Sequence, residues 1–150
     1  MVLVLSGCAL PGDPEIIGYS GVTRGDDGRL IAEVLVCSGT VRFAQLKTGG
    51  YTDNVRVMSW TASKPASGYI RLDPQATPDG WTLDPGSRTT LEPDGVYIFT
   101  AAASTRRTTG TVSFTTDALN QLEVGRVRVF DDGRYVSLTE AEFARLCEEQ

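Results

Sequence analysis

The stretch Gly110-Thr111-Val112-Ser113-Phe114-Thr115-Thr116 decides the fold class. Side chains alternate across a strand, so Val112 and Phe114 share one side while Thr111, Ser113 and Thr115 share the other. That alternation predicts an antiparallel strand with one face on the core and one in water. Val41 and Phe43, Val55 and Val57, Ile70 and Leu72, and Val127 and Val129 form comparable inward pairs. Val96-Tyr97-Ile98-Phe99 is apolar on both sides, which predicts a central strand covered on both faces.

Turn chemistry separates these runs: Gly25-Asp26-Asp27-Gly28, Pro78-Asp79-Gly80, Asp84-Pro85-Gly86, Pro93-Asp94-Gly95 and Asp131-Asp132-Gly133. Short strands with such punctuation predict an all-β, antiparallel sandwich of about seven or more strands. The runs flanking Asp131-Asp132-Gly133 are the clearest hairpin. Asp-Asp-Gly-Arg occurs at both Asp26 and Asp131, but the flanks do not repeat, so this is recurrent turn chemistry and not duplication. Near the end the period changes. Thr139-Glu140-Ala141-Glu142 is a capping box, after which Phe143, Leu146 and Cys147 fall on one face, with Glu140, Arg145 and Glu148 towards water. A short helix over 139–148 is expected to dock on the sandwich.

With 150 residues the chain suits one domain burying roughly two thirds of its unfolded surface. Residues 16–150 are assigned to the sandwich and its helix, and residues 1–15 to a separate leading segment. The net charge of −5 argues against nucleic acid, whose affinity comes from clustered Lys and Arg. Lys47 and Lys64 are the only lysines and Asn is scarce, a bias of GC-rich bacterial coding.

That leading segment carries an address. Leu5-Ser6-Gly7-Cys8 resembles the lipobox of bacterial lipoproteins, in which the cysteine is acylated and becomes the new N-terminus. The resemblance covers eight residues. It implies an extracytoplasmic protein held through lipid on Cys8 to the outer face of the cytoplasmic membrane. The positive n-region and longer h-region of a full signal are not in the sequence, which implies that the recorded start lies downstream of the true one or that the chain is clipped. Ala9-Leu10-Pro11-Gly12-Asp13-Pro14 reads as a tether. The alternative is a short apolar strand with an incidental buried cysteine.

Once Cys8 is assigned to lipid, Cys37 and Cys147 remain as an even pair, as an oxidising compartment would give. A bridge between them would close a loop of about 110 residues, for which chain entropy gives roughly 4 to 5 kcal/mol. Two separate buried thiols are the alternative, because sequence does not show proximity. One further likeness concerns Asp94-Gly95-Val96-Tyr97-Ile98-Phe99, which resembles the tyrosine corner leading into strand F of immunoglobulin-like sandwiches. It implies a phenol reaching back to the backbone. Phe99 stands where the second immunoglobulin cysteine would be, so no antibody-type disulfide is implied.

Catalytic parts are sparse. The chain has no histidine, which removes Ser-His-Asp and Cys-His catalysis and the commonest zinc ligand. It has no phosphate-binding glycine loop with its lysine and no dinucleotide fingerprint after a strand. Asp26-Asp27 and Asp131-Asp132 are carboxylate pairs, but turns select Asp for backbone reasons, so they are read as solvated. Neither has the spaced ligands of a calcium loop. Arg24-Gly25-Asp26 spells an integrin tripeptide that chance explains. No cofactor or metal is expected.

Three residues are kept as binding candidates. Arg106 and Arg107 form a basic tip that would suit anionic headgroups or envelope polymers, against an ordinary solvated hairpin. Trp81 offers a stacking platform, against a ring folded over the core edge, while Trp60 carries no further signal. The functional expectation is a non-catalytic envelope lipoprotein that binds a protein or glycan. The alternatives are an accessory enzyme or inhibitor of cell-wall turnover, and a structural or surface-exclusion lipoprotein.

Overall fold

A computed structural model describes residues 13–49 and 54–149; Cys8 and most of the tether lie outside the described residues. The strands are β1 (Glu15–Arg24), β2 (Leu30–Thr48), β3 (Arg56–Leu72), β4 (Trp81–Leu83), β5 (Val96–Ser104), β6 (Arg107–Gly110), β7 (Val112–Thr115), β8 (Arg126–Asp131) and β9 (Arg134–Thr139). Helix α1 (Thr116–Gln121) follows β7, and α2 (Glu140–Ala144) with a 3₁₀ turn (Leu146–Glu149) ends the chain. The all-β sandwich with a short C-terminal helix is thus the fold.

The strands form one continuous sheet in the order β4-β3-β2-β5-β6-β1-β8-β9, with β7 also on β5 and β1 also on β2. The circuit β1-β2-β5-β6 therefore closes on itself through a parallel β1–β6 pairing. Length makes this possible. The first half of β2 pairs with β1 and with the end of β3, while its second half pairs with β5 and the start of β3. Between the halves the β2–β3 register slips at Val36, Val41 and Phe43, and Gly39 takes φ +72, a left-handed conformation open to glycine at little cost.

The slip corrects one expectation. Val41 is buried but Phe43 is 42% exposed, because the irregularity between them reverses the alternation and hands the inward positions to Ala44 and Leu46. Val55 lies before β3 and is exposed, so only Val57 of that pair faces inward. Val112 with Phe114, Ile70 with Leu72, and Val127 with Val129 are buried as expected. Strand β5 is central, yet Val96 is exposed and Ile98 only half-buried, so it is covered on one face and open on the other.

Two apolar clusters result. The larger gathers β1, β2, β3, β5, β7 and Leu119 of α1, with Trp60 packed edge-on to Phe99 at 6.1 Å. The smaller lies on the other side of the first half of β2, where Leu35 meets Val127, Val129, Phe143 and Leu146. Phe143 and Leu146 reach it because the capping box forms as the sequence predicts: Glu142 N–H donates to Thr139 Oγ1 at 3.1 Å, and Thr139 N–H to Glu142 Oε1 at 3.0 Å. The tyrosine corner is also present, with Glu92 N–H donating to the Tyr97 hydroxyl at 2.8 Å. A Cβ on Gly95 would collide with that ring, which explains the glycine. Helix α1 escaped the sequence reading, although Thr115 caps it by accepting from Ala118 N–H at 3.0 Å.

Cys37 and Cys147 are bonded, with Cα atoms 5.3 Å apart across 110 residues of sequence. The bridge joins β2 to the terminal 3₁₀ turn beside the smaller cluster. Cys147→Ser should lower unfolding free energy by about 2 to 5 kcal/mol, as loss of a native disulfide does. Denaturant melts of oxidised wild type and variant check this, and superimposable curves would count against it.

Candidate functional site

The two faces of β2 have opposite fates. Over Leu30–Cys37 the outward face is sealed by the β8–β9 hairpin and α2, and beneath them lies Glu33 at 0% exposure. Tyr69 donates its hydroxyl to Glu33 Oε2 at 2.6 Å and packs edge-on to Phe143, with ring centres 5.7 Å apart. Glu33 Oε1 has no hydrogen-bond partner, and Arg71 Nε stands 3.9 Å from it, too far for one. Arg71 instead gives Nη1 to Glu140 Oε1 at 2.6 Å and so ties β3 to α2.

Burial pushes the Glu33 carboxyl up to about 7, against the opposing pull of the Tyr69 hydrogen bond and the Arg71 charge. Burial and the Glu33 carboxylate together push the Tyr69 phenol upward. A shifted carboxyl of this kind is often catalytic. Here it is fully buried beneath the hairpin and α2, and its proton affinity is coupled to folding.

Over Val41–Thr48 the outward face is open. Cross-strand register sets out its rows: Thr82, Thr61, Phe43 and Ala102 in one, then Ser59, Gln45 and Thr100, then Arg56, Lys47 and Ile98. Phe43 and Gln45 make a ridge shared by two troughs. One, of about 470 Å³, runs over β2, β5 and β6 past Lys47, Ile98 and Thr108. The other, of about 410 Å³, runs over β3 and β4 past Arg56, Thr61 and Asp84. Both volumes fall within the range of small-ligand sites. The hydroxyls are ordered, as Thr100 and Thr111 share a hydrogen bond of 2.8 Å.

The residues singled out from sequence sit around this face or away from it. Trp81 is half-buried against the main core and pairs through β4 with Ala62, so its ring covers a core edge. Trp60 is 1% exposed. Arg106 and Arg107 do form the β5–β6 tip, where Arg106 is exposed beside the Ser104–Thr105 rim of the larger trough. Arg107 turns away to Glu15, with Nε 3.3 Å from Oε2, and lies against Gly39. Asp27 is held by Arg29, with Nη1 to Oδ1 at 2.7 Å, and Asp73 takes the same guanidinium through both oxygens at 3.0 and 2.7 Å. These bonds hold both carboxyls below the usual range. Phe43 was missed as a site residue because its alternation with Val41 reads as inward. The glycine two positions before Val41 was the available sign of a bulge. No protein-family model, curated protein or solved structure matches the chain.

The Glu33 shift has a fixed sign. Because the folded protein holds this proton more tightly than the unfolded chain, the contribution to stability is full below about pH 4.5 and is lost as pH rises through about 7. At about 1.4 kcal/mol per pH unit, wild type should lose roughly 3 kcal/mol across that window relative to Glu33→Gln. Urea melts of both proteins from pH 4 to 8 read the difference, and parallel profiles would contradict the assignment.

Proposed function

We propose that the protein is a non-catalytic, lipid-anchored module of a bacterial envelope that holds a protein or glycan partner on the open face of β3, β2 and β5. The observation that carries this reading is the contrast within β2. One stretch of the outward face is sealed by a helix and a disulfide, while the next presents Phe43, Ile98 and ordered hydroxyls to solvent between two troughs. An exposed ring among hydrogen-bonding side chains is the arrangement of a recognition surface. The bridged Cys37–Cys147 pair supports an oxidising compartment, and Leu5-Ser6-Gly7-Cys8 supports attachment to the membrane facing it.

Anchoring and binding separate experimentally. Expressed in a high-GC bacterial host with a secretion signal, wild type should take up a fatty-acid label that Cys8→Ser lacks, and label retained by the variant would contradict the anchor. For binding, Phe43→Asp should reduce co-sedimentation with isolated cell envelopes at least tenfold with little change in melting temperature, since the ring is already partly in water. Trp81→Ala should instead lower the melting temperature and leave retention of the folded protein intact. Equal retention of Phe43→Asp would remove this face as the site.

A further inference from the structure

Lys47 and Arg56 stand directly opposite each other on β2 and β3. Like charges in that position destabilise a sheet pair, so their juxtaposition needs a reason. Neither makes an ion pair among the described residues; Arg24, Arg42, Lys64, Arg88, Arg106, Arg128 and Arg134 make none either, so what marks Lys47 and Arg56 is their cross-strand placement on the open face. Acids are plentiful in a chain of net charge −5. The acid in the trough beside Arg56 is Asp84, which forms no ion pair with it and accepts from Ser59 Oγ at 3.3 Å and Gly86 N–H at 3.0 Å. Two cations that form no ion pair among the described residues therefore lie on the open face, Lys47 along the β2 ridge in one trough and Arg56, with Asp84, in the other.

We propose that Lys47 and Arg56 form an anion subsite on this face and that the occupant is an acidic polysaccharide, its carboxylates on the two cations and a sugar ring on Phe43. The inference rests on the open face being the binding surface. A guanidinium fork and a flexible ammonium both suit carboxylate oxygens. From Phe43 to Lys47 the strand covers roughly 13 Å, enough for a short run of linked sugars. Ser59, Gln45, Thr61 and Thr100 offer hydrogen bonds between those ends, where a protein partner would call for a packed apolar centre. The troughs are open, which suits a chain passing across them.

The test is isothermal titration of the oxidised full chain with polygalacturonate, neutral dextran and poly-glutamate at low and at physiological salt. Polygalacturonate should bind, weaken as salt rises, and bind at least tenfold less tightly to the Lys47→Gln/Arg56→Gln double variant and to Phe43→Ala. The double variant should melt no lower than wild type, because it removes a repulsion, and Lys64→Gln/Arg134→Gln should bind as wild type does. Equal binding of dextran, unchanged in the double variant but weakened in Phe43→Ala, would overturn the anion subsite and leave the binding face standing. Binding of poly-glutamate in place of polygalacturonate would overturn the polysaccharide in favour of an acidic protein. Binding unaffected by any of these variants would remove the face itself, and an absence of binding to all three polymers would overturn the subsite.

Discussion

Strand β2 is hydrogen-bonded to neighbours on both edges over most of its length, and the rest of the structure follows from how its two halves are covered. Its first half is packed on both faces, its second on one. A sheet covered on both sides must fill the outer layer with something apolar, and here that layer is the β8–β9 hairpin with Phe143 and Leu146. The disulfide fastens the helical end of this layer to β2 at Cys37, where double coverage gives way to the slip around Gly39.

Glu33 sits within the doubly covered half, and its burial costs stability at neutral pH that a leucine would not. The Tyr69 hydroxyl offsets part of that cost, and Arg71 spends its strongest contact on Glu140 instead. Side chains also close an edge elsewhere. Tyr135 accepts from Ser113 N–H at 3.1 Å, and Arg128, stacked 4.1 Å over the Tyr135 ring, donates to Ser113 O at 3.2 Å. The hairpin thus satisfies the backbone N–H and C=O of Ser113 on β7, groups that an edge strand would otherwise offer to another chain.

Local chemistry was legible in the sequence. The alternation of Val112 and Phe114, the Thr139–Glu142 box, the Asp132-Gly133 turn and the phenol of Tyr97 each depend on residues close in the chain, and each is where the sequence places it. The Cys37–Cys147 bond was legible through arithmetic and helical spacing. What escaped depends on distant partners. Phe43 faces out because β2 slips against β3, Val96 is open because no layer of described residues covers it, and Glu33 is buried because a helix more than a hundred residues later lies over it. The site inherits this difficulty: Trp81 has the composition of a binding residue and a position on the core edge, while Phe43 has the pattern of a core residue and a position in water.

Hydroxyl-radical footprinting of the oxidised protein, with and without isolated envelope polymer, tests the division between sealed and open halves most directly. Phe43 should be modified readily in the free protein and protected when polymer is added, while Phe99 and Phe143, both at 0% exposure, should stay unmodified in either state. Modification of Phe143 as fast as Phe43, or a Phe43 signal indifferent to polymer, would contradict the account.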